Sequence, residues 1–235
     1  MQALILAGGR GTRLAPFTVS FPKPLVPVGD RPILHRLIDQ LCAAGCTEVC
    51  LSVNHLASLI EAYFGDGSQF GVPIRYLRER EPLGTAGPVG ITTDLADSFL
   101  VLNGDTLSDI DFRALYDDHV SSGELATVVT FAKEVQINLG VIQASPERRL
   151  CRYDEKPTLS YEVSTGVYAM SAGIVEHIAP GERLDMPDLM RRLMAAGLPP
   201  RLYRHVGQWL DVGRPEDYAI AQRWAAGEGR LESHL

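Results

Sequence analysis

Cysteine, long apolar runs and excess positive charge are all scarce in this chain, and each scarcity excludes something. Four cysteines in 235 residues are too few for a disulfide scaffold. Cys42, Cys46, Cys50 and Cys151 form neither a CxxC pair nor a Cys/His metal spacing, so all four are expected to be small buried hydrophobes, with no disulfide and no zinc. No apolar run approaches the roughly 20 residues of a membrane span, and the N-terminus lacks the charged, long-apolar, small-residue order of a signal peptide. A cytoplasmic location with no membrane partner is expected. The formal net charge of −7 argues against a nucleic-acid coat, so any anionic ligand must be met by a local cluster of cations.

An apolar share of 46% in 235 residues is enough for one domain with a proper core. Residues 2 to 6 read as a buried strand. Asp30 can cap a helix with Pro32 in its first turn, the apolar stripe Ile33, Leu34, Leu37, Ile38 and Leu41, and an end at Gly45. Thr47 to Val53 is strand-like, residues 55 to 64 are helical up to Gly65, and Ile74 to Leu77 is another strand. A loop rich in Glu, Pro and Gly follows, then a helix from about Ala86 and the apolar run FLVLNGD. Strands alternating with helices predict a parallel sheet covered on both faces, a three-layer α/β/α sandwich of Rossmann-like type.

The second half has more strands and fewer helices. Ala126 to Phe131, Gly140 to Gln143, Leu150 to Asp154 and Val163 to Met170 suggest mixed or antiparallel additions to the sheet. Helices return at 171–178, 187–196 and 215–226. The expectation is a single domain over residues 1–235 in two halves, to about residue 125 and from about 126, the second a substrate-binding lobe on the same sheet.

The first strand runs directly into AGGRGTRLAPFTVSFPKPL. A Walker A loop requires Lys and then Ser or Thr after its last glycine, whereas Gly11 is followed by Thr12 and Arg13. A dinucleotide fingerprint starting at Gly9 would place its third glycine at position 14, which is Leu14. What remains is a glycine loop with Arg10, Arg13 and Lys23 nearby. Such a loop lets backbone amides approach a polyphosphate while the cations offset its charge. An ordinary turn with solvated arginines is the bland alternative, but Pro22 and Pro24 restrict the backbone around Lys23, and a surface lysine needs no such framing.

That stretch resembles the signature of the sugar-1-phosphate nucleotidyltransferases, most closely catalytic domains of the mannose-1-phosphate guanylyltransferase kind. The resemblance continues through EPLGTAG at 81–87, LNGD at 102–105, DEKP at 154–157 and WLDVGRPEDY at 209–218. The family's C-terminal β-helix has no counterpart here, so a bare catalytic domain is expected. The implied reaction joins a sugar 1-phosphate to a nucleoside triphosphate and releases pyrophosphate. The attacking phosphate is already largely anionic at neutral pH, so the chemical need is charge cancellation and alignment rather than a strong base.

By resemblance, Asp105 and Asp211 hold a Mg²⁺ ion, Arg13 stabilises the β and γ phosphates, and Lys23 contacts the α-phosphate and the incoming sugar phosphate. Without the family, an Asp after a strand reads as a cap or turn former, as Asp109 and Asp111 do. The implied nucleotide contacts are Leu6, Ala7, Gly8, Gly9, Gly11, Thr12, Arg13, Lys23, Pro82, Gly84, Thr85, Asn103 and Asp105. The implied sugar-phosphate contacts are Gly140, Glu155, Lys156, Ser164 and Gly166. On their own, Glu155 and Lys156 read as a solvated turn before Pro157. Family members often carry Asn where this chain has Ser164, which leaves the sugar open.

The EPLGTAG wording favours GTP, with mannose or manno-heptose 1-phosphate as the sugar substrate. UTP, dTTP and ATP stay open as donors, as does another sugar or a cyclitol 1-phosphate. A catalytically silent nucleotide-sugar-binding regulator is the rival of another class, although the full set Arg13, Lys23, Asp105, Lys156 and Asp211 speaks for an enzyme. Leu14 speaks against a hydride-transferring dinucleotide enzyme. His55, His119 and His205 fall outside the matched motifs and are expected at caps or on the surface, while Trp209 is expected to pack behind Asp211. Assembly into a homo-oligomer is left open.

Overall fold

The computed structural model describes residues 1–9, 11–14 and 18–231, so Arg10 lies outside the described residues. Strand β1 (Gln2–Leu6) enters the centre of the molecule. Its side chains alternate between two cores: Ala3 and Ile5 face one cluster and Leu4 the other. The chain then makes a short antiparallel pair, β2 (Pro27–Val28) with β3 (Arg31–Pro32), before helix α1 (Ile33–Ala43). This pair corrects the expected cap. Pro32 is the N-cap of α1, and Asp30 sits in the turn between β2 and β3, bonded to Arg36 at 3.0 Å. The apolar stripe of α1 is buried as its spacing predicts, and Gly45 ends it with φ +83°.

Strand β4 (Glu48–Val53), helix α2 (Ala57–Phe64), strand β5 (Ile74–Arg78), the short helix α3 (Gly87–Ile91) and strand β6 (Ser98–Asn103) complete the first βα series. After β6 come β7 (Thr106–Ser108) and helix α4 (Phe112–Ser122), whose N-cap Asp111 accepts the Ala114 amide at 2.9 Å. Strands β8 (Ala126–Gln136), β9 (Gly140–Ala144), β10 (Leu150–Glu155) and β11 (Thr158–Ser171) follow. Helix α5 (Met186–Ala195), strands β12 (Arg201–His205) and β13 (Trp209–Asp211) and helix α6 (Pro215–Ala225) close the described chain.

The main sheet has seven strands in the order β12-β8-β11-β6-β1-β4-β5. Only β11 runs against the rest, pairing antiparallel with β6 and β8. Helices α1, α2 and α4 cover one face through Leu37, Phe64 and Leu115. Helices α3 and α5 cover the other through Val89, Leu189 and Leu193. This is the expected mixed, mainly parallel α/β/α sandwich. Each large side chain so buried contributes about 1.5–3 kcal/mol of transfer free energy.

Two pairings bring remote segments to the sheet's C-terminal end. Strand β13 pairs antiparallel with β7, setting Asp211 opposite Thr106. Helix α6 packs Ile220 and Ala221 into a third cluster with Leu14, Val28 and Leu210. The chain winds from β1 through β4 to β5 on one side and returns to β6 on the other. In open α/β sheets a ligand crevice lies at such a reversal, outside the carboxyl ends of the strands.

Cysteine and histidine placement departs from expectation. Cys46 and Cys50 are buried as small hydrophobes, but Cys42 is half-buried and Cys151 exposed, because β10 lies outside the main sheet. His119 is buried rather than superficial: its Nδ1 is 2.9 Å from Thr127 Oγ1 and its Nε2 3.2 Å from Ser171 Oγ. His205 is buried too, with Nε2 2.9 Å from Asp109 Oδ1.

Burial pushes the His119 pKa below its ordinary 6.5. The unfolded chain therefore binds the proton more readily, and folding stability should fall as pH drops below about 6.5 towards the folded value. Urea unfolding at pH 7.5 and 5.5 should show this loss in the native protein and a smaller loss in His119→Gln. An identical pH dependence in both would refute it.

Candidate active site

The loop after β1 is held open by its own geometry. Gly11 takes φ +60°, and a Cβ there would stand 2.9 Å from that of Lys23. The Gly11 carbonyl accepts Thr18 Oγ1 at 2.7 Å and the Leu14 amide at 2.9 Å, which closes a short turn around Thr12 and Arg13. Gly9 faces open space, with nothing within 4 Å of where a Cβ would lie. Pro22 precedes a 3-10 turn, Lys23–Leu25, in which the Leu25 amide reaches the Pro22 carbonyl at 2.9 Å. The prolines thus frame Lys23 as the sequence predicts.

Lys23 is buried, and its ammonium is the centre of the site. Nζ donates to Asp105 Oδ2 and lies 3.5 Å from Asp211 Oδ1. Arg13 stands behind, 4.0 Å from Asp211 Oδ2. Asp105 follows β6, whose end is tied to β1 by the Gly104 amide donating to Leu6 at 3.0 Å. Asp211 ends β13, and the next turn is fixed by Asp217, whose Oδ2 accepts the amides of Gly213 at 3.2 Å and Arg214 at 2.9 Å. The Val212 amide closes on the Asp105 carbonyl at 3.2 Å. Burial, and next the neighbouring Asp105 charge, raise the Asp211 pKa against the pull of Lys23 and Arg13. Both carboxylates keep part of their surface open, so the pair forms a site that would accept a further cation.

The two aspartates fit a hard divalent ion that takes its remaining ligands from other oxygen atoms. Among the described residues no group of three or more His, Cys, Asp or Glu side chains could enclose a metal ion. The protein alone thus offers two ligands rather than a cage.

Leu6, Ala7, Gly9, Gly11, Thr12, Arg13, Lys23 and Asp105 line one part of the cleft. An adjoining part is lined by Gly8, Pro82, Gly84, Thr85 and Asn103, and shares Leu6, Gly9, Arg13 and Asp105 with the first. All the residues expected to contact nucleotide are therefore gathered in one cleft. Asn54 and Glu79 also line it and were missed from the sequence. Glu79 accepts Ser52 Oγ at 2.6 Å and the Leu83 amide at 2.9 Å, while Asn54 Nδ2 donates to the Glu79 carbonyl at 3.0 Å. Their signal was position: each directly follows a parallel strand, as Asp105 nearly does.

The residues expected at the sugar phosphate are less tightly assembled. Gly166 abuts the Asn103 side chain, and Trp209 Nε1 donates to the adjoining Thr165 carbonyl at 3.0 Å. Ser164 Oγ lies 3.2 Å from the Tyr168 hydroxyl. Gly140, Glu155 and Lys156 are exposed on the β9–β10 hairpin and its exit, and none lines the two cleft compartments. Gly140 sits beneath the ring of Tyr153 on the neighbouring strand.

A family model described as nucleotidyl transferase matches residues 2–226. The UTP–glucose-1-phosphate uridylyltransferase of Synechocystis sp. is 32% identical, over 100% of this chain and 64% of its own length. The mannose-1-phosphate guanyltransferase of Schizosaccharomyces pombe is 34% identical, over 93% of this chain and 62% of its own. The mannose-1-phosphate guanylyltransferase catalytic subunit beta of Dictyostelium discoideum is 34% identical over the same shares, 93% and 62%. The chain thus spans a little under two thirds of the length of these relatives.

Among solved structures, a Bacillus anthracis protein provisionally named a glucose-1-phosphate thymidylyltransferase superposes with a TM-score of 0.76 at 24% identity, covering 96% of this chain and 95% of that one. HddC from Yersinia pseudotuberculosis superposes at 0.72 with 24% identity, covering 95% and 98%. At this identity the two structures show a shared fold.

The cleft geometry makes a prediction about its glycines. Gly84 has φ +77°, and a Cβ there would sit 2.5 Å from the Leu184 carbonyl, so Gly84→Ala should lower stability by about 1–3 kcal/mol. Gly9→Ala, with open space around it, should stay within about 0.5 kcal/mol. Denaturant midpoints check both values, and equal effects would contradict the packing described.

Proposed function

This chain belongs to the nucleotidyl transferase family, and on that premise we propose that it transfers a nucleoside monophosphate from a nucleoside triphosphate to a sugar 1-phosphate, releasing pyrophosphate. The favoured pair is GTP with mannose or manno-heptose 1-phosphate. Relatives named mannose-1-phosphate guanyltransferase support that choice. A uridylyl donor is the second reading, favoured by the uridylyltransferase relative that aligns with the whole chain.

The observation carrying the proposal is Lys23, a buried ammonium between Asp105 and Asp211 at the mouth of the glycine loop. A sugar-phosphate oxygen attacks the α-phosphorus, the bond from that phosphorus to the β-phosphate oxygen breaks, and pyrophosphate departs. Both reactants are anions, so the site must first make their approach tolerable. In this reading the loop amides of Gly8, Gly9, Gly11 and Thr12 face the phosphate tail. Arg13 balances the β and γ phosphates, and Lys23 stabilises charge on the α-phosphate as the new bond forms. Asp105 and Asp211 hold Mg²⁺, which when bound offsets phosphate charge. The exposed Glu155 and Lys156 are assigned to the sugar and its phosphate, with Gly140, Ser164 and Gly166 alongside.

Lys23→Ala and Asp211→Ala should each reduce pyrophosphate release by about 10²–10³-fold or more while circular dichroism remains native, since each removes charge compensation rather than core. Near-normal turnover in either would refute the assignment. Pyrophosphate release across GTP, UTP, dTTP, ATP and CTP, each with glucose, mannose and heptose 1-phosphates, should peak for GTP with a manno-configured acceptor. Chelation should abolish turnover and Mg²⁺ restore it. A peak with UTP and glucose 1-phosphate would transfer the assignment to the second reading.

A further inference from the structure

The loop at residues 82–87 gives Pro82, Gly84 and Thr85 to the cleft, yet it is held mainly by a different segment. Its Leu83 carbonyl accepts the Leu184 amide at 2.9 Å. The Ala86 and Gly87 amides both donate to the Leu184 carbonyl, at 2.9 and 3.1 Å. The approach is so close that a Cβ on Gly87 would stand 2.5 Å from the Glu182 carbonyl.

At the start of α5 the usual capping arrangement is exchanged. Asp185 occupies the N-cap, where its carboxylate would ordinarily accept an amide of its own helix, but no such bond forms. Oδ1 instead accepts the Thr85 amide at 3.0 Å. Thr85 Oγ1 in return accepts the Met186 amide at 2.7 Å, filling the vacated cap. The segment carrying Asp185 is itself braced from behind: Glu182 accepts Arg192 at 2.6 and 2.9 Å and the Ala179 amide at 3.1 Å.

The Leu83 amide is bound to Glu79, so from residue 83 to 87 every amide except that of Gly84 has a protein partner. Among the described residues the N–H and C=O of Gly84 have none, and Gly84 lines the cleft. The orientation of that peptide is set by what holds Leu83 and Thr85 on either side. We infer that Asp185 is a positioning residue for nucleobase selection: by holding the Thr85 amide it aims the Gly84 peptide at the base edge. The inference rests on the cleft being the triphosphate site proposed above.

The test compares Asp185→Ala with Asp185→Asn, which keeps an oxygen acceptor, by steady-state kinetics with GTP, UTP, dTTP and ATP at saturating sugar 1-phosphate, and by hydrogen exchange over residues 82–87. Asp185→Ala should raise KM for the preferred triphosphate about tenfold and flatten the preference among bases, with kcat within about twofold, while Asn restores most of both. Exchange over 82–87 should accelerate in the Ala variant alone. An unchanged base preference in Asp185→Ala would overturn the inference, even with a lowered Tm, since a merely structural role would reduce activity with every triphosphate alike.

Should the Ala variant fail to fold, Asp185→Ser caps α5 with its own hydroxyl and still abandons Thr85, so the same loss is expected of it. If the native protein turns over no triphosphate, the functional reading fails separately. Exchange then decides the positioning role: acceleration confined to 82–87 supports it, and no change overturns it.

Discussion

The cleft depends on one constraint, a lysine ammonium taken out of water and kept between two carboxylates. A buried charge is expensive unless paired and hydrogen-bonded, and Lys23 is both, through Asp105 and Asp211. The demand runs both ways. Without the cation, two acids at the ends of β6 and β13 would repel each other, and burial together with the Asp105 charge keeps the Asp211 pKa raised even with it. Such a site tolerates anionic phosphates only together with added cations, which is why charge balance rather than acid–base chemistry organises the proposed reaction.

The surrounding fold serves to fix those three side chains. Asp105 is placed by a central strand, Lys23 by a proline-flanked turn, and Asp211 by a short ladder closed on β7. Behind that ladder Asp217 pins the following turn, and α6 packs against the segment leading from the Lys23 turn into α1. Tyr218 and Gln222 bond the Pro27 carbonyl at 2.9 Å each, so the last helix steadies the first loop. The two sequence halves share the sheet and also meet at its C-terminal end.

Much of this was legible in the sequence because it is local. The glycine loop, the prolines around Lys23, the stripe of α1 and the apolar strands that end in Asn103 or Val53 each signal themselves within a few residues. The failures follow from contacts that periodicity does not register. Asp30 looked like a cap because the two-residue pairing of β2 with β3 leaves no pattern. Strand β8 runs past Phe131 to Gln136 as a ribbon with β11 beyond the main core, where side chains no longer need to be apolar. His119 lacks a polar-helix signal for burial, since its partners Thr127 and Ser171 come from other elements. Nothing in the sequence marks Asp185, because its partner Thr85 is remote in the chain.

If Lys23 and Asp211 act as one unit on the reacting phosphates, their effects on turnover cannot be independent. A double-mutant cycle on kcat/KM for pyrophosphate release, using Lys23→Ala, Asp211→Ala and the pair together, measures this directly. Strong non-additivity is expected, with the double variant little worse than the poorer single one. Losses that simply multiply would mean that the two residues work apart, and the shared charge balance at the centre of the cleft would not be what drives the chemistry.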